Sequence, residues 1–170
     1  ELNSILTLPD FKKYVDELEI HYMLAELYHE TQQWQKEIES YRKILQFNPE
    51  DVNANHRIGL VYYRQNDFAE ARNHLLKAIN LDPSLTDTLA PLGISSYHMA
   101  EYEDSEQYLL KAIEKNPSNH EAHFFLGMIY KMKKDHEAAI NMFEDAKLDK
   151  KYYMKSLHAL GQIYFENEMY

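Results

Sequence analysis

The sequence contains no cysteine, only four glycines, and fewer basic than acidic side chains. The lack of cysteine excludes disulfides, thiolate nucleophiles and cysteine-based zinc sites, but it leaves the compartment open because either redox environment tolerates such a chain. A formal net charge of −10 at pH 7 argues against nucleic acid as a partner, because phosphate-binding surfaces concentrate lysine and arginine.

Long apolar runs are also missing. No stretch approaches the roughly 20 apolar residues needed to span a bilayer, and the first residues lack the basic and apolar regions of a signal peptide. We therefore expect a soluble chain without direct membrane insertion, with the cytoplasm as the default compartment. Other compartments stay open, because the sequence starts without Met and is expected to be a piece of a longer protein. With 170 residues, 45% of them hydrophobic, the chain is long enough for a sizeable core.

The few glycines and several prolines share one period of 34 residues. The glycines are Gly59, Gly93, Gly127 and Gly161, and the Asn-Pro or Asp-Pro pairs end at Pro49, Pro83 and Pro117. Isoleucine or leucine precedes every glycine, and a tyrosine lies three residues after each glycine except Gly93. A constant period shared by several residue types predicts an internal repeat.

Each repeat carries two helical patterns separated by a short polar turn. Apolar residues recur at spacings of three and four, first from Ile58 to Tyr62 and again from Phe68 to Ile79. In the turn, Asp67 precedes Glu70 by three residues, which is the spacing of a capping box and predicts that Asp67 caps the second helix. Each unit is thus predicted to be a helical hairpin that buries its apolar face by stacking on its neighbours.

The phased residues resemble the tetratricopeptide repeat, with Leu-Gly-x-x-Tyr, then alanine with an apolar residue four positions on, then proline. The resemblance covers about residues 18–170 and implies an all-α, right-handed α-solenoid of antiparallel helical hairpins, the TPR superhelix. The predicted division is a capping helical segment at 1–17, four repeats at 18–51, 52–85, 86–119 and 120–153, and the first helix of a fifth, truncated repeat at 154–170.

The resemblance also implies that the first helices line a concave groove in which a protein or peptide partner binds. Helical spacing predicts the groove residues on the side away from the stripe of Ile58, Gly59 and Tyr62. They are Asn53, His56, Leu60, Tyr63, Arg64, Ile94, Tyr97, His98, Phe124, Met128, Lys131 and Phe165. The apolar members favour a partner with apolar anchors, an amphipathic helix or an extended peptide, unless the rest of the same chain fills the groove.

One known partner class is disfavoured by the residues. Arrays that bind the C-terminal tail of a chaperone resemble one another in supplying lysine, asparagine and arginine from their first helices. The matching positions here hold Tyr22, Glu26, Arg57, Asp87 and Pro91, so no carboxylate clamp is expected in this register. Starting the register one repeat later gives no better match.

No catalytic, cofactor or metal site is predicted. The segment "HEAH" at 120–123 is one residue short of the spacing of a zinc protease motif and brings no third ligand. We therefore predict a non-catalytic interaction scaffold. Two alternatives stay open: a recruiting or regulatory arm of a larger enzyme whose catalytic domain lies elsewhere, and weak self-association through the C-terminal end.

The third repeat has an irregular first helix. Pro91 lacks an N–H and would kink a helix that started at Ser84, whereas it fits the first turn of a helix that starts near Thr88. We expect the later start or a distorted first turn. Ser96 stands where the neighbouring repeats have Tyr62 and Tyr130, which predicts altered packing there.

Overall fold

The computed structural model describes residues 17–168, with side chains to residue 167, and the regular structure of that span is helical throughout. The helices are α1 Glu17–Glu30, α2 Trp34–Phe47, α3 Val52–Arg64, α4 Phe68–Leu81, α5 Leu89–His98, α6 Tyr102–Lys115, α7 His120–Met132, α8 His136–Ala146 and α9 Lys150–Glu168. The capping segment predicted at 1–17 lies outside the described residues, apart from its last residue.

The first compact unit ends at Pro83, and its described part holds two hairpins, α1 with α2 and α3 with α4. Its core includes a cluster of Ala25, Tyr41, Ile44, Ala54 and Ile58. Alanine takes the place of the repeat's glycine at position 25 and is fully buried. The apolar stripes of the sequence thus face one another inside this unit.

The second compact unit starts at Ser84 and holds the hairpins α5 with α6 and α7 with α8, followed by α9. One core cluster consists of Ala139, Phe143, Ala159, Leu160 and Ile163 from α8 and α9, and partly buried side chains of α7 pack against it. Helix α9 therefore buries one face against the preceding hairpin.

The turn inside each hairpin has the same backbone geometry. One residue per turn has a left-handed φ of 56° to 61°; these residues are Gln32, Asn66, Ala100 and Lys134, again 34 residues apart. The N–H of Asp67 donates to the carbonyl of Tyr62 at 3.0 Å, which closes the helix as a Schellman motif does. Asp67 also accepts from the N–H of Glu70 at 3.3 Å, so the predicted cap is confirmed.

Three of the four glycines permit a close approach of the second helix. A Cβ placed on Gly59 would lie 2.6 Å from Leu75 Cγ, one on Gly93 would lie 2.8 Å from Leu109 Cγ, and one on Gly127 would lie 2.9 Å from a ring carbon of Phe143. Carbon atoms pack at about 3.5–4.0 Å, so these positions have no room for a side chain. The repeat glycines therefore set the distance between paired helices.

The third hairpin begins late, as Pro91 predicts. A 3₁₀ turn spans Thr86–Thr88, and α5 starts at Leu89, which leaves Pro91 in the first helical turn. The missing N–H has no cost there, because first-turn N–H groups lack an acceptor within the helix. Thr88 occupies the cap position without a side-chain cap bond, and Ser96 is fully buried.

Helix α9 begins one turn earlier than the repeat predicts. The expected start was Met154, but α9 begins at Lys150, and Asp149 accepts from the N–H of Lys151 at 2.6 Å. Earlier repeats have proline in phase with Lys151. Without proline, nothing prevents the helix from continuing towards its N-terminus.

Candidate functional site

In the first unit, the predicted groove residues lie on α3 with different exposures. Asn53 and Arg64 are exposed, and Leu60 and Tyr63 are half-buried. His56 is only 7% exposed, so the prediction that it lines a groove is wrong as far as accessible surface is concerned. The first half of α3 is buried on several sides, and helical spacing cannot identify an outer face there.

The α1 side of the first unit is polar. A pocket of about 210 Å³ is lined by Glu26, His29, Glu30, Tyr41 and Arg57. The ring of His29 also bonds a fully buried carboxylate, with 3.0 Å between its Nδ1 and Oε1 of Glu37. Burial is the main cause that raises the pKa of Tyr41 to about 12, so its hydroxyl stays protonated. This pocket offers donors and acceptors rather than an apolar surface.

In the second unit, aromatic rings from three first helices form a continuous row, which we call the aromatic row. Its members are Tyr97 on α5, Phe125 and Phe124 on α7, and Tyr152 on α9. The ring centroids are 5.2 Å apart from Tyr97 to Phe125, 5.5 Å from Phe125 to Phe124 and 5.0 Å from Phe124 to Tyr152. Because α5, α7 and α9 are in phase in the repeat, the fold brings together rings that are far apart in sequence.

Helical spacing alone missed two members of the aromatic row. Phe125 is in phase with Arg57 and Pro91, so its siblings give no sign of an aromatic surface. Tyr152 precedes the helix start that the repeat predicts, and it joins the row only because α9 begins at Lys150. The absence of proline at position 151 was the available signal for the second residue.

Charged and polar groups of both signs flank the aromatic row. Lys155 Nζ lies 6.0 Å from the centroid of Phe124 and 5.7 Å from that of Tyr152, within the range of a cation–π interaction. The Tyr152 hydroxyl donates to Glu121, and burial together with this bond raises the pKa of Tyr152. His98 packs at 5.5 Å from both Tyr97 and Phe125, and burial lowers its pKa, so it is neutral at pH 7.

The remaining predicted groove residues of the second unit differ in accessibility. Ile94 is 2% exposed, so its prediction as a groove residue is wrong: α5 is buried on nearly every side and has no free face at that position. Met128 is half-buried against the core cluster of this unit. Lys131 bonds Gln162, and Phe165 is 66% exposed.

His123, in the segment at 120–123, contacts a backbone carbonyl and a carboxylate. His123 Nδ1 lies 2.9 Å from the carbonyl of Asn119, and its Nε2 lies 3.5 Å from Asp145. Among residues 17–167, no group of three or more histidine, aspartate or glutamate side chains could hold a metal ion. In the same part of the chain, no helix has both the length and the apolar character to cross a membrane.

Comparison with known protein families matches three segments to the tetratricopeptide repeat, at residues 18–51, 52–85 and 92–151. A search of curated proteins gives no match. Tetratricopeptide repeats form scaffolds that are generally non-catalytic and that hold proteins together.

Solved structures with the same fold include the protein MamA, at 21% identity and a TM-score of 0.77, over 89% of this chain and 82% of that one. A MamA fragment from Desulfovibrio magneticus matches at 14% identity and a TM-score of 0.76, over 91% and 87% of the two chains. YrrB, described as a TPR protein with an unusual peptide-binding site, matches at 18% identity and a TM-score of 0.79, over 98% and 84%. At these identities the likeness shows the fold alone, a helical solenoid. Together with the three matched segments, it shows that the chain belongs to the tetratricopeptide repeat family.

Proposed function

We propose that this chain is a non-catalytic scaffold whose first helices bind a partner peptide or helix through apolar anchors. The observation that carries the proposal is the aromatic row of the second unit, which α5, α7 and α9 build jointly. Tyr97, Phe124 and Phe125 are partly exposed, whereas Tyr152 is 3% exposed and packs against Phe124 from the buried side. Partly exposed aromatic side chains that neighbouring rings fix are the usual anchors of protein interfaces.

The chemistry of the row defines the partner. Its rings offer apolar contact, and Lys155 beside Phe124 and Tyr152 adds a positive charge at one end. We therefore expect a segment with two or more large apolar residues and an acidic residue nearby. The peptide-binding site for which YrrB is described makes a peptide the favoured form of this partner.

The first unit, taken by itself, offers a polar surface. The pocket of Glu26, His29, Glu30, Tyr41 and Arg57 and the exposed Asn53 and Arg64 on α3 suit hydrogen bonds and ion pairs that select among peptides. Such polar contacts add specificity more than affinity.

The test is selection of a displayed library of random peptides on the whole 170-residue chain, followed by affinity measurements on the selected peptides. We expect enrichment of apolar anchors with an acidic neighbour. Tyr97→Ala, in the aromatic row, and Phe165→Ala, at the exposed ring on α9 that is predicted to line the groove, should each weaken binding by about tenfold or more. Phe124 is left intact, because it packs 5.8 Å from Phe143 in the core and its loss would also reduce stability.

Leu148→Ala provides the control for Phe165→Ala, because Leu148 is apolar, is 71% exposed against 66% for Phe165, and lies in the connection between α8 and α9. It should leave affinity unchanged. Selected peptides that bind the Tyr97→Ala and Phe165→Ala chains as tightly as the parent chain would contradict the proposal.

A further inference from the structure

The polar pocket of the first unit carries more negative than positive groups. Glu26 and Glu30 line it from α1, where they lie one helical turn apart, and both are exposed. His29, a third lining residue, bonds the carboxylate of Glu37, which is fully buried. Arg57 lines the pocket from α3 and brings a guanidinium. Three carboxylates against one guanidinium favour a cationic ligand.

Buried polar atoms at this pocket lack hydrogen-bond partners. Oε2 of Glu37 and Nε of Arg57 are both buried, and neither has a partner in the described part of the chain. Tyr41 also lines the pocket and is 2% exposed, and its hydroxyl forms no hydrogen bond within residues 17–167. Proteins satisfy nearly all of their buried polar groups. These atoms therefore indicate a ligand that forms hydrogen bonds, which an acidic surface alone would not.

The electrostatic surroundings of Tyr41 have the same sign as the pocket. Burial is the main cause of the raised pKa of its hydroxyl. Among the charged groups, the guanidinium of Arg57 lowers that pKa, whereas three carboxylates raise it, those of Glu37, Glu26 and Asp51. A negative potential that keeps the proton on the hydroxyl also attracts a cation that a ligand brings.

The positions of the acceptors suit a guanidinium better than an ammonium. The carboxylates of Glu26 and Glu30 come from α1, and the hydroxyl of Tyr41 comes from α2. A guanidinium is planar and spreads five N–H donors over three nitrogens, so it reaches acceptors on both helices at once. An ammonium presents its three donors from one nitrogen and is more strongly hydrated.

We propose that this pocket binds the guanidinium of an arginine in a partner peptide. The inference rests on the proposed function, because the arginine belongs to a peptide that the scaffold binds. Glu26 and Glu30 accept hydrogen bonds from the guanidinium, and the hydroxyl of Tyr41 accepts another. Arg57 repels a second positive charge, so the pocket takes one basic side chain.

The probe is Nα-acetyl-arginine N-methylamide, titrated into the whole 170-residue chain labelled with ¹⁵N and followed by NMR. We expect saturable shifts of the amide signals around Glu26 and Arg57, with a dissociation constant of about 1–10 mM, as befits a single side chain. The citrulline derivative has a neutral urea of nearly the same shape and should bind at least about tenfold more weakly. The lysine derivative should also bind more weakly than the arginine derivative.

Variants with effects of opposite sign locate the site. Glu26→Gln combined with Glu30→Gln keeps the side-chain volumes at exposed positions and should weaken binding at least about tenfold. Arg57→Gln removes the competing positive charge and should tighten binding by about threefold or more, a gain that damage to the fold would not produce. Glu39→Gln combined with Glu50→Gln makes the same charge change at exposed positions outside the pocket and should leave the affinity unchanged.

Four outcomes would overturn the proposal. The first is the absence of saturable binding of the arginine derivative. The second is binding of the citrulline or lysine derivative that is as tight as that of the arginine derivative. The third is an equal loss of affinity in the pocket double variant and its control. The fourth is tighter binding of Nα-acetyl-glutamate N-methylamide, because Arg57 would then hold an anionic ligand.

Peptide selection separates this inference from the proposed function. Arginine should be enriched among peptides selected on the parent chain, and that enrichment should disappear on the chain with Glu26→Gln and Glu30→Gln, while apolar anchors remain. Apolar anchors without arginine on the parent chain would overturn this inference alone. Binding of the arginine derivative without any enrichment of apolar anchors would contradict the proposed function and leave the guanidinium site in place.

Discussion

Replacement of single glycines by alanine should have opposite effects on stability at Gly59 and Gly161. Alanine is favoured over glycine inside a helix by about 1 kcal/mol, and this gain applies at both positions. At Gly161 the new methyl group meets open space, so the whole gain should appear. Gly161→Ala is therefore expected to stabilise the chain by about 1 kcal/mol.

At Gly59 the gain is exceeded by a steric cost. The new Cβ would lie 2.6 and 2.7 Å from two side-chain carbons of Leu75 and 3.1 Å from its backbone nitrogen. Leu75 is fully buried, so relief requires the helices to separate. Overpacking of this kind costs about 1–3 kcal/mol, and the contact with backbone places Gly59→Ala in the upper part of that range. The expected net loss is about 1–2 kcal/mol.

The measurement is urea and thermal unfolding of both variants beside the parent chain, followed by circular dichroism. For a protein of this size 1 kcal/mol corresponds to about 2–4 °C in Tm. Because repeat arrays can unfold in parts, hydrogen exchange at α3 and α9 should accompany the melting curves. Equal stability of the two variants, or a stabilised Gly59→Ala, would refute the argument that helix spacing is set at Gly59.

Three further substitutions test other features. Ala100→Gly should raise the free energy of unfolding by about 1 kcal/mol, because Ala100 has a φ of 61° and the left-handed region costs a residue with a Cβ about 1–2 kcal/mol; no gain in the urea midpoint would contradict this. Asp67→Ala should lower that free energy by about 1 kcal/mol through loss of the cap to Glu70, whereas Asp67→Asn should keep most of it, and equal unfolding curves for the two would exclude the cap. Burial lowers the pKa of His74, so the unfolded chain binds its proton first and stability should fall as the pH drops below about 6.5. His74→Gln should flatten the dependence of unfolding free energy on pH between 7 and 5, and an unchanged slope would contradict the assignment.

The repeat and its local chemistry could be predicted from the residues, because period and phase are properties of the chain alone. The hairpins, the cap at Asp67 and the late start of α5 around Pro91 all follow from residue types with strong local preferences. The turn at Asn66 could also be predicted, because asparagine is a residue type that adopts a left-handed φ. Ala100 and Lys134 adopt the same conformation without any residue preference, because the surrounding packing imposes it.

The binding surface was harder to predict, because exposure depends on every neighbouring element. Helical spacing assumes one free face per helix, and that assumption failed at Ile94 on α5 and His56 on α3, both of which are buried. It also missed Phe125 and Tyr152, whose siblings are not aromatic. At these four positions, contacts between helices that are distant in sequence determine which side chains are buried and which rings meet.

The shared contact between glycine and the second helix restricts how the chain can change in length. A deletion of one residue inside a hairpin turn rotates the following helix by about 100° relative to the first, which moves Leu75 away from Gly59. A duplication of 34 residues copies the glycine, its turn and its apolar partner in phase. Insertions and deletions in homologous chains should therefore occur in whole repeats or in the connections between hairpins, and a gap of any other length within a hairpin should be accompanied by loss of the glycine.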